Sequence, residues 1–474
     1  MRTFDRYFIG GDWVDASARP RRTLFNPATD KPYGEVALGT AGDVDIAVRA
    51  ASKAFPAFSN TSVGERLALL QRVFDIYRRR QGEIADAITT EMGAPTTLAH
   101  QAQATAGADH LRGVIEALAH FEIERELAQG VLLRREGIGV CALITPWNWP
   151  LNQIAGKVAP ALAAGCTMVL KASELTPMSA VLFAEVLEEA GVPRGVFNLV
   201  HGDGPGVGTA LSSHPLVDMV SFTGSTAAGV QVAINAAPTV KRVTQELGGK
   251  SPNILLRDAD FDTAVEQAVR ACMDNTGQSC NAPTRLIVPA ERHDEIAERA
   301  GEIASNLRVG DPRQAETEIG PIVSRVHFER VRNYIEIGRQ EGARLVAGGA
   351  EPVAGLAPGY FVKPTVFADV TPDMTIAREE IFGPVLSILS YADEEEAIAV
   401  ANGTPYGLAA YVSSEDPDHA LAVARRLRAG QVHVNMTIPG ADVPFGGYKT
   451  SGNGREGGIF GIEDFTEVKA IALP

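Results

Sequence analysis

The stretch of sequence that decides the fold is GVCALITPWNWP, residues 139–150. It begins with a short apolar run that ends at Ile144, and a turn with two prolines and two tryptophans follows. A helical segment at 155–164 and a second apolar run at 167–170 come next along the chain. Strand, helix and strand in this order are typical of a parallel sheet covered by helices. We therefore predict an α/β fold built around a parallel sheet.

The same alternation continues towards the C-terminus. Strands are predicted at 196–200 and 218–222, and a helix is predicted at 179–190. After Gly248 a second series of strands and helices begins, which predicts a second α/β domain. Its strands are expected at 253–256, 285–288, 385–389 and 432–435. With 474 residues, at roughly 150 residues per domain, the chain has room for about three domains.

The region before residue 139 has a different pattern. Residues 7–14 predict a hairpin around a Gly-Gly-Asp turn. Helical spacing of apolar residues follows, and it predicts helices up to residue 121. The apolar stripe of the first predicted helix comprises Ile46, Ala50, Ala54 and Phe58.

Composition and charge exclude several classes of protein. Hydrophobic residues make up 45% and charged residues 21%, as in ordinary globular domains, so the chain is not intrinsically disordered. The net charge is −15, and this field repels nucleic acid and anionic membranes. We expect neither of these as a partner. Since no apolar window of 18 residues occurs and no apolar leader follows Met1, we expect a cytoplasmic protein.

The cysteines and histidines predict no metal site. The four cysteines are sparse and form no C-x-x-C pair, which argues against a disulfide framework and against a zinc ribbon. The histidines show no ligand spacing along the chain.

Two segments at the ends of predicted strands could contact a ligand, because open parallel sheets bind ligands at those ends. In Thr145–Pro150, the amide of Asn148 could stabilise an oxyanion. The alternative is that this segment is a packed tryptophan anchor. Phe222–Gly229 ends a strand and starts a helix at Ser225 or Thr226, where free N–H groups attract phosphate. Alone, this second segment is a weak signal, since the G-x-G-x-x-G fingerprint is absent.

Two further segments carry reactive side chains. Glu246 is closely followed by two glycines, which leave room for a water molecule or a substrate. A solvated carboxylate before a turn is the alternative. Cys280 stands at the end of a predicted helix, among small neighbours, and could be a nucleophile. The alternative is a buried structural thiol, which fits the other cysteines, Cys141, Cys166 and Cys272.

Taken together, the four segments resemble the aldehyde dehydrogenase superfamily in their order and spacing. The resemblance runs almost from end to end, between Tyr7–Trp13 and Phe465–Lys469. Other matching segments are Lys171–Glu174, Glu379–Pro384 and Pro444–Lys449. The resemblance implies a Rossmann-type nucleotide-binding domain, an α/β catalytic domain and a small oligomerisation arm. The implied boundaries are 1–117 with 138–247, then 248–450, and 118–137 with 451–474 for the arm.

The resemblance implies roles for the catalytic residues. The thiol of Cys280 would attack the aldehyde carbonyl, and Asn148 would stabilise the oxyanion together with the cysteine's own backbone N–H. After hydride transfer, Glu246 would activate the water that hydrolyses the thioester. Glu456 matches a carboxylate suggested as a proton relay, and a structural ion pair with a nearby arginine is the alternative.

The resemblance also implies the cofactor. Glu174 would accept hydrogen bonds from both ribose hydroxyls and repel a 2′-phosphate, which favours NAD while leaving NADP open. One departure from the family pattern is Ala172, where a proline is common. The implied cofactor-binding residues are Ile144, Thr145, Pro146, Trp147, Lys171, Ser173, Glu174, Gly224, Ser225, Thr226, Ala227, Ala228, Gly229, Leu247, Glu380 and Phe382.

The expected partners are a small-molecule aldehyde and further copies of the chain, as a homodimer or homotetramer. Asn435–Gly440 is expected to line the substrate entrance, and its apolar groups favour a medium-sized aliphatic or aromatic aldehyde. One alternative is a CoA-acylating semialdehyde dehydrogenase, against which Glu246 argues. The other is a non-catalytic nucleotide-binding structural protein, against which the intact Cys280 and Asn148 argue.

Overall fold

The predicted strand after Gly139 is present as Val140–Ile144, and it pairs in parallel with Thr167–Lys171. The helix between these strands is Pro150–Ala164, all of it buried except position 152. The computed structural model describes residues 1–356 and 358–474. The α/β fold with parallel sheets is thereby confirmed.

The strands are β1 (Arg2–Phe4), β2 (Arg6–Ile9), β3 (Asp12–Asp15), β4 (Arg21–Asn26), β5 (Lys31–Ala37), β6 (Glu124–Ala128), β7 (Val131–Gly137), β8 (Val140–Ile144), β9 (Thr167–Lys171), β10 (Phe197–Leu199), β11 (Met219–Thr223), β12 (Arg242–Glu246), β13 (Pro252–Leu255), β14 (Arg285–Pro289), β15 (Arg344–Ala347), β16 (Thr365–Ala368), β17 (Val385–Tyr391), β18 (Ala409–Ser413), β19 (Gln431–Val434), β20 (Gly452–Asn453) and β21 (Thr466–Ala472).

The α-helices are α1 (Ala41–Phe58), α2 (Val63–Met92), α3 (Thr96–Leu98), α4 (Ala104–Ala119), α5 (Pro150–Ala164), α6 (Pro177–Glu189), α7 (Thr209–Ser213), α8 (Thr226–Ala236), α9 (Phe261–Met273), α10 (His293–Asn306), α11 (Arg325–Gln340), α12 (Thr375–Arg378), α13 (Glu394–Asn402), α14 (Pro417–Ala424) and α15 (Gly458–Asp464). Single π-helical turns occur at Ala99–Gln103 and Gly204–Gly208, and short 3₁₀ segments at Ala237–Thr239, Asp274–Gly277, Ala290–Arg292 and Lys449–Ser451.

The first large sheet has eight strands in the order β20-β12-β11-β8-β9-β10-β2-β3. The five strands from β12 to β10 are mutually parallel, whereas β20, β2 and β3 run antiparallel at the two margins. Because the central strands are buried on both faces, they read in the sequence as unbroken apolar runs. Their carboxyl ends share one edge of the sheet.

The second large sheet has seven strands in the order β15-β16-β17-β14-β13-β18-β19. All pairs are parallel except β15 with β16. Helices α9 and α10 pack on one face, with Val265, Val269 and Ile296 in a shared apolar cluster with this sheet. The two large sheets therefore form separate cores, as the two series of strands in the sequence indicate.

A third sheet pairs distant parts of the chain. Strand β21 runs antiparallel to β7, and β7 pairs with β6. Of the C-terminal segment expected to form an arm, only Thr466–Ala472 joins this sheet. Gly452–Asn453 instead pairs with β12 in the eight-stranded sheet, and α15 packs on α4 and α5. The division into domains stays a prediction.

The apolar stripe predicted for α1 was wrong at Ile46, whereas Phe58 is buried as predicted and Ala50 and Ala54 are half-buried. Ile46 is 57% exposed, whereas Val44, Ala47 and Val48 are fully buried. The mostly small side chains on the true inner face allow α1 to approach β9 and β10 closely. The prediction placed Ile46 on the inner face because it is a large aliphatic residue, but its side chain points to solvent.

The helices give no candidate membrane span. Within residues 1–356 and 358–474, none of them has the length and apolarity needed to cross a membrane.

Candidate functional site

The four segments singled out in the sequence meet at one cavity of about 220 Å³. It lies at the carboxyl edge of the eight-stranded sheet, where β8, β11 and β12 end. The second large sheet closes it from the other side. The cavity is lined by Pro146, Trp147, Asn148, Thr223, Gly224, Ser225, Glu246, Leu247, Gly248, Cys280, His327, Arg330, Glu380 and Phe382.

A strained turn places Cys280 at the cavity. Asn275 and Thr276 have left-handed backbones with φ values of 52° and 58°, and Gly277 follows with φ 68°. Such conformations cost of order 1–3 kcal/mol for residues other than glycine. A side chain at Gly277 would collide with the backbone of Gly383. The predicted helix thus ends at Met273, and a separate turn carries the cysteine.

Asn148 is held by the same turn. The side-chain Nδ2 of Asn148 donates to the backbone carbonyl oxygen of Gln278 at 3.0 Å. The backbone carbonyl oxygen of Asn148 accepts from Asn275 Nδ2, also at 3.0 Å. Gln103 adds a further bond to Asn275 Oδ1, at 2.8 Å. Asn148 is only 3% exposed, and the amide is therefore fixed close to the cysteine.

Burial sets the protonation of the reactive groups. It raises the pKa of the Cys280 thiol, and the carboxylates of Glu380 and Glu246 raise it further. The pKa of Glu246 is also raised well above its usual value, first by burial and then by Glu456, while Lys157 and Arg455 oppose this. Both groups therefore favour their neutral forms.

Behind Glu246 lies a second, small cavity lined by charged side chains. Lys157 Nζ forms an ion pair with Glu456 and donates to Ser221 Oγ at 3.0 Å. The expected alternative for Glu456, a pair with a nearby arginine, was wrong in its partner, since the cation is Lys157. Arg455 instead donates to the carbonyl oxygens of Gly447 and Gly454. The Oε2 atom of Glu246 has no hydrogen-bond partner among the described residues.

Glu380 and Phe382 approach from the second large sheet. Glu380 Oε1 accepts from the backbone N–H of Gly249 at 3.0 Å, and a side chain at Gly248 would collide with the Glu380 carboxyl. Burial raises the pKa of Glu380 to about 6. The ring of Phe382 lies edge-on to Trp147, with centroids 5.5 Å apart. Trp147 and Phe382 together form an aromatic wall of the cavity.

Two cavity residues, His327 and Arg330, were missed by the sequence analysis. They lie one helical turn apart on α11. His327 Nε2 shares a hydrogen bond with the carbonyl oxygen of Phe382 at 2.7 Å, and its ring packs 5.6 Å from Trp147. Burial lowers the pKa of His327 to about 4, so it is neutral near pH 7. The only sequence signal for these two residues was their spacing of three, which places them on one face of a helix. Many helices show that spacing, and it does not indicate a site.

The start of α8 is open to the cavity. Ser225 caps the helix by accepting from Ala228 N, and the Gly224 N–H donates to the carbonyl oxygen of Glu246 at 3.1 Å. Thr226 and Ala227 follow at the helix start, where free N–H groups favour anions. Gly229 does not reach the cavity, because it packs against Leu247, where a Cβ would lie 2.6 Å from Leu247 Cδ2.

The remaining predicted cofactor residues lie at the carboxyl ends of β8 and β9. Ile144 ends β8 and is buried in the core, and Thr145 N donates to the carbonyl oxygen of Lys171 at 3.1 Å. Ser173 and Glu174 follow β9 in a short turn, in which Ser173 Oγ accepts from Leu175 N. This group is adjacent to the cavity but does not line it.

One cluster of metal-type side chains lies outside the site. His293, Asp294 and Asp369 place ligand atoms within 4.8 Å of one another, which the sequence spacing of the histidines did not indicate. Arg344 pairs with both carboxylates at 2.7 Å. Both carboxylates are therefore already paired with one cation.

Comparison with known proteins gives consistent results along the chain. A family model described as the aldehyde dehydrogenase family matches residues 13–471. A 3-succinoylsemialdehyde-pyridine dehydrogenase from Pseudomonas sp is 53% identical over 472 residues, which cover 99% of both chains.

Two solved structures extend the comparison. A cysteine-to-alanine mutant of aldehyde dehydrogenase C from Pseudomonas syringae, complexed with NAD+ and octanal, has a TM-score of 0.98 at 50% identity. That match covers 99% of this chain and 96% of the other. An aldehyde dehydrogenase from Mycobacterium tuberculosis, complexed with NAD+, has a TM-score of 0.97 at 39% identity, covering 100% and 99%.

Proposed function

The chain belongs to the aldehyde dehydrogenase family, and on that basis we propose that it oxidises an aldehyde to its carboxylic acid with NAD. The observation that carries the proposal is that Cys280, Asn148 and Glu246, from three distant segments, line one cavity. A soft nucleophile, an oxyanion donor and a base are the groups that this oxidation needs.

The first step is the attack of Cys280 on the aldehyde carbonyl. The thiol proton passes to a base, for which Glu246 is the candidate, and the sulfur–carbon bond forms as the carbonyl oxygen becomes an oxyanion. The Asn148 amide and the backbone N–H of Cys280 then stabilise that oxygen. The hydrogen bonds of Asn148 with Gln278 and Asn275 support this role, because they hold the amide donor in place before the reaction begins.

The cavity fits the nicotinamide end of NAD. Trp147 and Phe382 provide an aromatic wall, and Glu380 stands beside Gly248 and Gly249. The α8 start would hold a phosphate group through its free N–H groups. Bound there, NAD would supply the acceptor for the hydride that leaves the carbon attached to Cys280. The lack of a side chain at Gly248 leaves room for the Glu380 carboxyl at this wall of the cavity.

Hydrolysis of the thioester completes the reaction. Glu246 takes a proton from a water molecule, the hydroxide adds to the thioester carbon, and the carbon–sulfur bond breaks to release the acid. The unpartnered Oε2 of Glu246 is available for that water. Glu456, paired with Lys157, is a candidate to pass the proton outward from the second cavity.

The relatives suggest two kinds of substrate. One is named for a pyridine-bearing semialdehyde, and the other was complexed with octanal. We propose an aldehyde of this size for the present chain. The test is a panel of aldehydes with NAD, in which NADH is followed by absorbance and the product acid by mass spectrometry. Formation of acyl-CoA only, and only when CoA is added, would favour the CoA-acylating alternative instead.

We also propose that the chain forms a homodimer or homotetramer through the third sheet. β21 is an edge strand whose residues after Thr466 are largely exposed, including Val468 at 60%. An exposed edge strand offers unpaired backbone groups to a second sheet. Light scattering coupled to size-exclusion chromatography tests this, and a monomer at micromolar concentration contradicts it.

A further inference from the structure

A second large cavity, of about 510 Å³, lies between the helices and the third sheet. Its walls come from the turn between α1 and α2, from the C-terminal end of α5 and from strand β7. It shares no lining residue with the cavity around Cys280. Cavities that bind small molecules typically have volumes of about 300–1,000 Å³, so this one is large enough to hold a ligand.

Arg66 lies on the wall of this cavity and is only 5% exposed. Its Nη1 donates to the carbonyl oxygen of Ala163 at 2.8 Å. Its Nε is buried without a hydrogen-bond partner, and its Nη2 makes no hydrogen bond within residues 1–356 and 358–474. The edge of the guanidinium that is formed by Nε and Nη2 is therefore available to a ligand.

Elsewhere in the protein, the same edge of an arginine binds the two oxygens of a carboxylate. Arg19 donates from Nε and Nη2 to Asp43 at 2.9 and 2.6 Å. Arg292 donates in the same way to Glu295, with both bonds at 2.6 Å. This geometry suits paired, charge-assisted hydrogen bonds to a carboxylate or a phosphate group. We therefore expect an oxyanion at the free edge of Arg66.

The charge of Arg66 is poorly balanced by the chain itself. The neighbouring carboxylate, Glu65, accepts from Ser62 N and Oγ at 2.8 Å and forms no ion pair with Arg66 in the described part of the chain. The C-terminal end of α5, which carries Ala163, supplies only about half of an elementary negative charge. A buried charge without a full counter-charge is costly, and burial accordingly lowers the pKa of Arg66. An anion in the cavity would reduce that cost.

Two further arginines of β7, Arg134 and Arg135, line the same cavity. Arg134 is 43% exposed and pairs with Glu124 and Glu136, and Arg135 is 24% exposed and pairs with Glu463. Because partly exposed ion pairs contribute little stability, both arginines can turn towards an added anion at small cost. Three guanidinium groups thus line the cavity against the single carboxylate of Glu136, in a chain whose net charge is −15.

From this arrangement, we propose that the cavity beside Arg66 binds a phosphate group, either as free phosphate or as a phosphate monoester. Arg66 binds two of the phosphate oxygens through Nε and Nη2, and Arg134 and Arg135 approach the others. A dianion matches the excess of positive charge better than a monocarboxylate does. The rings of Phe55 and Phe121, which also line the cavity, provide apolar contacts for the organic part of an ester.

A bound phosphate group would connect α2 with β7, and so hold the third sheet against the helices. Binding here does not depend on the proposed function, because the cavity is separate from the one around Cys280. A ligand that binds only the folded protein stabilises it. The binding is therefore measurable as a rise in melting temperature.

Arg72 provides a matched control on the same helix. Its Nε donates to the carbonyl oxygen of Ala190 at the end of α6, at 2.9 Å, much as Arg66 donates to Ala163 at the end of α5. Arg72 does not line the cavity. Arg72→Gln therefore removes the same charge and the same kind of backbone contact from α2 and leaves the cavity unchanged.

The experiment is a thermal melting titration of the full-length protein with sodium phosphate, glycerol phosphate or sodium acetate, with sodium chloride added to constant ionic strength. For the wild type, we expect a saturable rise in melting temperature with phosphate and with the ester, half complete at about 1 mM, and a weaker effect of acetate. Arg66→Gln should raise the half-effect concentration of phosphate by about 10- to 100-fold, the range for lost hydrogen bonds to a charged group. Arg134→Gln should raise it by about 2- to 5-fold, and Arg72→Gln should leave it unchanged.

Three results would overturn the inference. The first is a wild type without a saturable response to phosphate, and the second is an equal response to phosphate and acetate. The third is an unchanged half-effect concentration in Arg66→Gln, or in Arg134→Gln if Arg66→Gln does not fold. A response that persists in Arg66→Gln and disappears when NAD is added would place the phosphate at the proposed dinucleotide site instead, which contradicts this inference and leaves the proposed function intact.

Discussion

Asn148 donates its side-chain amide to the carbonyl oxygen of Gln278, two residues before Cys280, at 3.0 Å. The bond joins the loop after β8 to the turn after α9, and so connects the two large sheets beside Cys280. The relative position of the proposed nucleophile and the proposed oxyanion donor is therefore fixed by a direct contact. It does not depend on the packing of remote surfaces.

Removal of the Asn148 amide should slow catalysis while the protein stays folded. We expect Asn148→Ala to lower kcat by about 10²- to 10³-fold, the usual effect of losing one oxyanion donor. Steady-state formation of NADH measures this. Asn152→Ala on α5, the helix that follows the loop of Asn148, is the control and should retain most of the activity; Asn152 Oδ1 is 2.8 Å from His110 Nε2. Equal losses in both variants would contradict a specific role for Asn148.

Cys280 should be the one cysteine that reacts with iodoacetamide in the native protein. Cys141, Cys166 and Cys272 are buried, whereas Cys280 is partly accessible. The thiolate is the reacting form, and the raised pKa of Cys280 predicts a rate that still increases with pH above neutrality. Peptide mass spectrometry over a pH series gives both site and rate. A rate that levels off near pH 7 would show a lowered pKa instead.

Replacing Glu246 should slow the hydrolysis of the thioester more than the attack of Cys280. Glu246→Gln removes the base, and the turnover rate should fall by about 10²- to 10⁴-fold. An acyl adduct on Cys280 should then accumulate, visible as a mass increase of the intact protein. In the wild type, the raised pKa of Glu246 keeps the carboxyl protonated at lower pH. The rate should therefore rise with pH and fall as pH drops through that raised pKa.

Glu91 should be a stability residue rather than a catalytic one. This buried carboxylate accepts from Met178 N at 2.8 Å and from Ser179 N at 3.0 Å, and so caps α6. Glu91→Ala leaves these donors unsatisfied and should lower the free energy of unfolding by about 1–3 kcal/mol. Urea denaturation measures the change. Glu185→Ala, which removes a partly exposed ion pair between α6 and Arg80, is the control, for which we expect less than about 1 kcal/mol.

The sequence predicted those strands of the two large sheets that are short apolar runs between turns, but it missed β12, β15, β16, β18 and β20. It also identified the four segments that meet at the cavity. His327, Arg330 and Gln103 could not be found in this way, since their contacts arise only when α11 and the π-helical turn pack beside the site. Arg22 and Lys157, the distant cations paired with Glu174 and Glu456, were out of reach for the same reason. They lie 152 and 299 residues away from these carboxylates along the chain.

The turn at Asn275–Gly277 matters for protein engineering. Its two left-handed residues, Asn275 and Thr276, lower stability, and a design that optimises each position for its backbone would replace them with glycine. That change would delete the Asn275 amide that holds the Asn148 backbone and free the loop that carries Cys280. Thermostabilised versions of this enzyme should therefore keep residues 275–277 unaltered and carry their stabilising substitutions elsewhere on the surface. The strained backbone of this turn lowers the stability of the fold, but it holds the site rigid.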